Sequence, residues 1–382
     1  MRMAVMFCGC LSYRRAADMM NTVLHRTADE AIKVRTLADF IEDYGNGIGS
    51  HMKTLAADIL KANQFDAETL APEDTAAFKA SIASEPREVR TEAAMAEVCE
   101  KVKEINSQRE PRAQIKRDDL VSAVELPTTR CCYASVDDIG VKHQKETRKN
   151  RGSKTGRYVE NTVIHVQADG LCYHLTAVGM KNAFAALMAF LLNNHLMENR
   201  RLVFLADGAR NILNHIETLF PFCERSVILD WYHLKKKCKE LISSSVKGTK
   251  EEKKVIIQDV LRMLWVGNVD ETVEYLNSLE HKSIKSRYWL GELTGYLERK
   301  RPQIACYALR DSFGLRNSSN RVEKNNDLLV AQRQKHNGMS WSREGSGALA
   351  AINMVLLNKE AEQWLYTRTL SFSMFSDVDV AA

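Results

Sequence analysis

The chain has 382 residues, 45% hydrophobic and 27% charged, the balance of an ordinary globular protein long enough for two or three domains. That composition excludes a disordered or fibrous chain, and no apolar run reaches the length of a membrane span. A net charge of +5 is only mildly basic, so any interaction with nucleic acid has to rest on local clusters rather than on the total.

Residues 1–65 read as a helical N-terminal region. Ser12 is placed to cap "YRRAADMMNTVLHR", where Ala16, Met20, Val23 and Leu24 share a face. A helix over Leu37–Tyr44 is expected to stop at Gly45, Asn46 and Gly47, with another from Ser50 through Leu60. Helix, tight turn and helix fit either a DNA-reading helix-turn-helix or an ordinary helical bundle. The opening "MRMAVMFCGCLSYRR" mimics a signal peptide, but its apolar run is short, it has no small-x-small cleavage site, and arginines follow it directly. The nine cysteines form no C-x-x-C pair and no zinc spacing, the pattern of a reduced, intracellular protein.

Residues 66–127 hold four of the six prolines around "REVRTEAAMAEVCEKVKEI" and read as a connector with one amphipathic helix. After Pro127 the pattern turns to strands: "TRCCYASVDD", then "YVENTVIHVQ" and "LCYHLTAVG" joined by Ala168, Asp169 and Gly170, a hairpin signal. A helix near 182–198, strand "RLVFLAD", helix "NILNHIETLF", strand "SVILD" and helix "WYHLKKKCKEL" follow. This order predicts an α/β fold, an RNase H-like mixed five-stranded sheet flanked by helices. Residues 240–315 read as an all-helical insertion, and the RNase H-like domain would comprise 128–239 and 316–358, with 359–382 a C-terminal tail. A helix from near Asn320, a loop "HNGMSWSREGSG" and a final helix through "ALAAINMVLLNKEAEQWL" close the domain.

Three acidic residues fall where these elements would bring them together: Asp137 at the end of the first strand, Asp207 at the end of the fourth, and Glu323 on a late helix. Carboxylates from separate elements are what a pair of divalent cations needs in order to clamp the attacking and leaving oxygens of a phosphodiester. Each has a blander alternative: the Asp137-Asp138 doublet as a turn toward Gly140, Asp207 as a helix cap, and Asn320-x-x-Glu323 as a capping box. Of the doublet, Asp137 is chosen as the residue facing the site, with Asp138 in support. Asp230 and His233, before Lys235, Lys236 and Lys237, would offer a helix start beside this crevice, suited to a phosphate backbone.

Between the first strand and the hairpin, Lys142, Lys145, Arg148, Lys149, Arg151, Lys154 and Arg157 face only Glu146, an excess of six positive charges that favours DNA binding. Near the end, Arg321, Lys324, Arg333, Lys335 and Arg343 surround Glu323 in sequence. Trp341 would either stack on an unpaired base or pack in the core. "GSKTG" lacks P-loop spacing, so no nucleotide cofactor is expected.

Taken together, "SVDDIGV", "FLADGARNI", "LDWYHLKKK" and "SSNRVEKNNDLLVAQRQKHNGMSWS" resemble bacterial insertion-sequence transposases of the DDE class over about residues 128–350. The resemblance implies Asp137, Asp207 and Glu323 as catalytic metal ligands for two Mg²⁺ or Mn²⁺ ions. It also implies cleavage at the ends of a mobile element, and strand transfer of the freed 3′-hydroxyl into target DNA. Double-stranded DNA would be the partner, bound by a homodimer or larger assembly, with no membrane contact, in the bacterial cytoplasm at the nucleoid. Mutator-type relatives often carry Cys-x-x-His after the second Asp, where this chain has Asp230-Trp231-Tyr232-His233. A DNA-binding derivative without catalysis, or an RNase H-like nuclease that cuts without joining, are the alternatives.

Overall fold

A computed structural model of the chain describes residues 1–83, 91–126, 129–144, 157–335 and 339–376. Helices α1 (Arg2–Cys10), α2 (Tyr13–Val23) and α3 (Val34–Ala62) open it. Ser12 caps α2 as expected, accepting from the Arg15 N–H at 3.3 Å, and Ala16 and Met20 are buried, whereas Val23 and Leu24 are exposed. The expected break at Gly45 to Gly47 does not occur. α3 is one helix of 29 residues, about 43 Å long at 1.5 Å per residue, so no helix-turn-helix forms there.

The reason is packing. A Cβ on Gly45 would lie 2.2 Å from the main-chain oxygen of Ala348, so this glycine lets α3 press backbone to backbone on α16 (Arg343–Leu357). Glycine costs helix propensity, but burial of Leu37, Ile41, Ile48, Met52, Ala56 and Leu60 along one face outweighs it. The α3 face belongs to the same hydrophobic core as the sheet, so the N-terminal helices are built into the body of the protein.

Helix α4 (Thr75–Ile82) is capped by Asp74, and the expected connector helix is α5 (Glu92–Ser107), capped by Thr91. After the short α6 (Asp118–Ala123), the buried carboxylate of Glu125 meets the equally buried Arg310 and ties the connector to the helical region.

The sheet comprises β1 (Cys131–Lys142), β2 (Tyr158–Ala168), β3 (Leu171–Val178), β4 (Arg201–Ala206), β5 (Arg225–Leu229) and β6 (Phe375–Ser376), in the order β5-β4-β1-β2-β3-β6. β1 is antiparallel to β2 and parallel to β4. Asp169 and Gly170, both at positive φ, make the two-residue hairpin turn between β2 and β3. The sheet therefore has six strands rather than five, because the region read as a tail adds a short edge strand on β3.

Helices cover both faces. α7 (Met180–Asn193), α8 (Arg210–Leu219), α3 and α16 lie with the core that takes Leu202, Phe204 and Ala206 of β4. The alternate residues Val203 and Leu205 join a second core with α9 (Trp231–Ser245), α10 (Lys250–Trp265), α11 (Val269–Asn277) and α12 (Arg287–Lys300). After α13 (Tyr307–Ser312), helix α14 (Asn320–Asn326) runs through a π-helical segment, Asp327–Ala331, into the short α15 (Gln332–Gln334). α16 is capped by Ser342, so the "REGSG" read as loop is helical. The final helix also breaks after Asn358, where Lys359 takes a left-handed φ of 60° before α17 (Ala361–Thr367), and the Asn358 side-chain amide pairs with the backbone of His174 on β3 at 3.0 and 2.8 Å. No helix among the described residues is long and apolar enough to cross a membrane.

Candidate active site

The parallel β1–β4 pair sets the site. Val136 pairs with Ala206, so the next residues, Asp137 and Asp207, leave the pairing at the same level on strands about 4.8 Å apart. β1 does not end at Asp137 as expected. It continues to Lys142 against β2, and only its pairing with β4 stops at Val136. Successive strand residues face opposite ways, which separates the doublet. Asp137 Oδ2 accepts from Asn326 Nδ2 at 2.5 Å, whereas Asp138 Oδ1 accepts from Thr162 Oγ1 at 2.5 Å.

Asp207 Oδ1 accepts from the Ala209 N–H at 2.7 Å and shapes the entry to α8. The glycine after it is required: Gly208 has φ +85°, and a Cβ there would come within 2.7 Å of Leu229 Cδ1.

Asp230 is fully buried and holds two helix starts at once. Its Oδ1 accepts from the His233 N–H at 2.8 Å, capping α9, and its Oδ2 takes the Ser319 N–H and, at 2.9 Å, the Ser319 hydroxyl, at the cap of α14. The two helices so joined present His233 and Glu323 to each other, Nε2 to Oε1 at 2.8 Å. Glu323 therefore makes no capping box; its helix has no side-chain cap.

Beneath α14 lies a polar floor that sequence patterning did not reveal. Asn325 Nδ2 meets His174 Nδ1 at 2.9 Å, and His174 Nδ1 lies 3.3 Å from His165 Nδ1 across the β2–β3 register. Burial, with His174, Arg316 and Arg321 adding to it, holds the His165 pKa well below the usual histidine value. Asn325 and Asn326 are buried just before the π-helical segment, a departure from α-helical geometry of the kind that recurs at functional sites.

Electrostatics tie the cluster together. Burial raises the Asp137 carboxyl pKa to about 6, and Asp207 pushes it further in the same direction. The Asp138 N–H, His233 and Asn326 oppose the shift. A folded-state value above the ordinary 3.8 means that ionised Asp137 opposes folding. Its stabilising contribution is complete below about 3.8 and is lost as pH rises through about 6. Asp137→Asn is accordingly expected to raise metal-free stability at pH 7–8 by about 2 kcal/mol and to flatten the fall between pH 4 and 7, as read by urea titration. An unchanged pH profile would remove Asp137 from the desolvated cluster.

Hard oxygen donors suit Mg²⁺ or Mn²⁺, and a dication beside Asp137 and Asp207 would relieve the repulsion that raises the Asp137 value. These two residues fit such an ion. Glu323 is engaged with His233, and among the described residues no three His, Cys, Asp or Glu side chains converge as a ready-made metal cage.

The basic residues divide. Lys142, Arg157, Lys236, Arg321, Lys324, Lys335 and Arg343 are exposed; Lys235 and Lys237 are half-buried, with Lys237 3.4 Å from Glu240. Arg333 is not a surface residue. It is fully buried between the rings of Tyr13 and Trp341, 5.0 and 4.9 Å from their centroids, and donates to the Cys8 carbonyl. Trp341 is itself buried, which settles its alternatives in favour of core packing. Lys145, Arg148, Lys149, Arg151 and Lys154 lie outside the described residues.

No protein family and no characterised protein matches the chain. A solved structure, the Drosophila P element transposase strand transfer complex, is similar over 78% of this chain and 82% of that one, at 11% identity and a TM-score of 0.21. So slight a likeness carries no functional argument.

Proposed function

We propose that this protein is a DDE-type DNA transposase whose β1–β4 platform is an RNase H-like catalytic core. The observation that carries the reading is the level pairing of Asp137 and Asp207 on adjacent parallel strands; His233, which acts electrostatically on Asp137 and bonds Glu323, supports it. Asp137 and Asp207 would hold divalent cations, Mg²⁺ or Mn²⁺, with Glu323 completing the set on leaving His233. The ions would activate water and then a 3′-hydroxyl toward DNA phosphodiesters. In this reading Asn326 orients the Asp137 carboxylate, and His233 positions Glu323. Asp230 keeps both helices in place. Exposed Lys142, Arg157, Lys236 and Arg321 would bind the DNA backbone.

One observation favours a second reading, a DNA-binding protein without catalysis: Glu323 is occupied by His233. The test is incubation with Mg²⁺ and plasmid DNA carrying the sequences that flank the protein's own coding region. Joined strands support the transposase. Cutting without joining indicates a nuclease, and metal-independent binding indifferent to Glu323→Gln supports the second reading.

A further inference from the structure

Helix α12 brings a lysine of the helical insertion beside the Asp207–Gly208 turn. Lys300, its last residue, donates from Nζ to the Gly208 carbonyl at 2.6 Å, and its stem passes over Gly208, where a Cβ would lie 3.4 Å from Lys300 Cε. The position is fixed from both sides. Leu293 and Leu297 are buried in the second core, and the next residue, Arg301, forms a paired bridge to Asp270 with contacts of 2.5 and 2.6 Å.

An ammonium carries three donors, and one carbonyl uses only one of them. Among the described residues no carboxylate forms an ion pair with Lys300, although Asp207 acts on it electrostatically. Partial removal from water, which lowers its pKa below the usual lysine value, is thus only partly compensated in the free protein.

We infer that Lys300 is a substrate-contacting residue whose spare donors bind a phosphate oxygen of the DNA strand seated over Asp137 and Asp207. The helical insertion then contributes to the active site instead of serving only as a spacer. This rests on the proposed DNA-directed function.

The test is binding of a labelled duplex oligonucleotide across a KCl series, with Ca²⁺ occupying the carboxylates, for wild type, Lys300→Gln and Lys300→Arg. Gln keeps a donor, one bond short of the Nζ position, and has no charge, whereas Arg keeps the charge. Loss of one phosphate contact is expected to reduce the slope of log K against log[KCl] by about 0.9 in Lys300→Gln, with Lys300→Arg close to wild type and all three melting together. If wild type binds and Lys300→Gln has the same slope, Lys300 is only a tether for the Gly208 loop and the inference falls while the proposed function stands. If wild type binds no DNA, the proposed function itself fails and the inference with it.

Discussion

Asp207→Asn is expected to reduce metal-dependent strand cleavage by about 10³-fold or more while leaving the fold intact. The asparagine Oδ1 still accepts from the Ala209 N–H, so the turn into α8 keeps its shape. What disappears is a full negative charge level with Asp137 at the end of the β1–β4 pairing. A cleavage assay with Mn²⁺, run beside a thermal melt, separates the two effects. A variant that folds and retains more than about a tenth of wild-type cleavage would exclude a two-carboxylate site.

Asp230→Ala is expected to be the most damaging change to the architecture around the site. The buried carboxylate accepts from the His233 N–H, the Ser319 N–H and the Ser319 hydroxyl, so alanine leaves these donors buried and unpaired. The expected loss is about 3 kcal/mol, seen as a lower midpoint of urea unfolding with an unchanged slope. Activity should fall further than stability alone explains, because the same oxygens seat the helices carrying His233 and Glu323. A loss under about 0.5 kcal/mol would mean that the α9 and α14 starts are held by something other than Asp230.

What sequence patterning captured is what depends on local periodicity and turn chemistry. The apolar run of β4 and the turn pair Asp169-Gly170 are properties of a few neighbouring residues, and both are read directly from the chain. Asp207-Gly208 was legible for the same reason, since the strand end and the glycine mark the turn. Which partner each of Asp137 and Asp138 meets depends on distant elements, Asn326 for the one and Thr162 for the other.

The misreadings share one physical cause, that a residue's environment is set by what packs on it from elsewhere. Gly45 resembles a helix stop until α16 is laid against it. Arg333 resembles a surface cation until the Tyr13 and Trp341 rings close over it. Asn326, Lys300 and the His165–His174 pair carried no local signal, because each acquires its contacts only when the sheet, α14 and α12 meet.

Calorimetric titration with Mn²⁺ at mildly alkaline pH, where Asp137 is ionised, reads whether Asp137 and Asp207 form a cation-binding pair. Saturable binding is expected in the wild type, abolished by Asp137→Asn and by Asp207→Asn and weakened by Glu323→Gln. Absence of saturable binding in the wild type, or wild-type binding retained in both asparagine variants, would contradict a metal-dependent site at the β1–β4 pair.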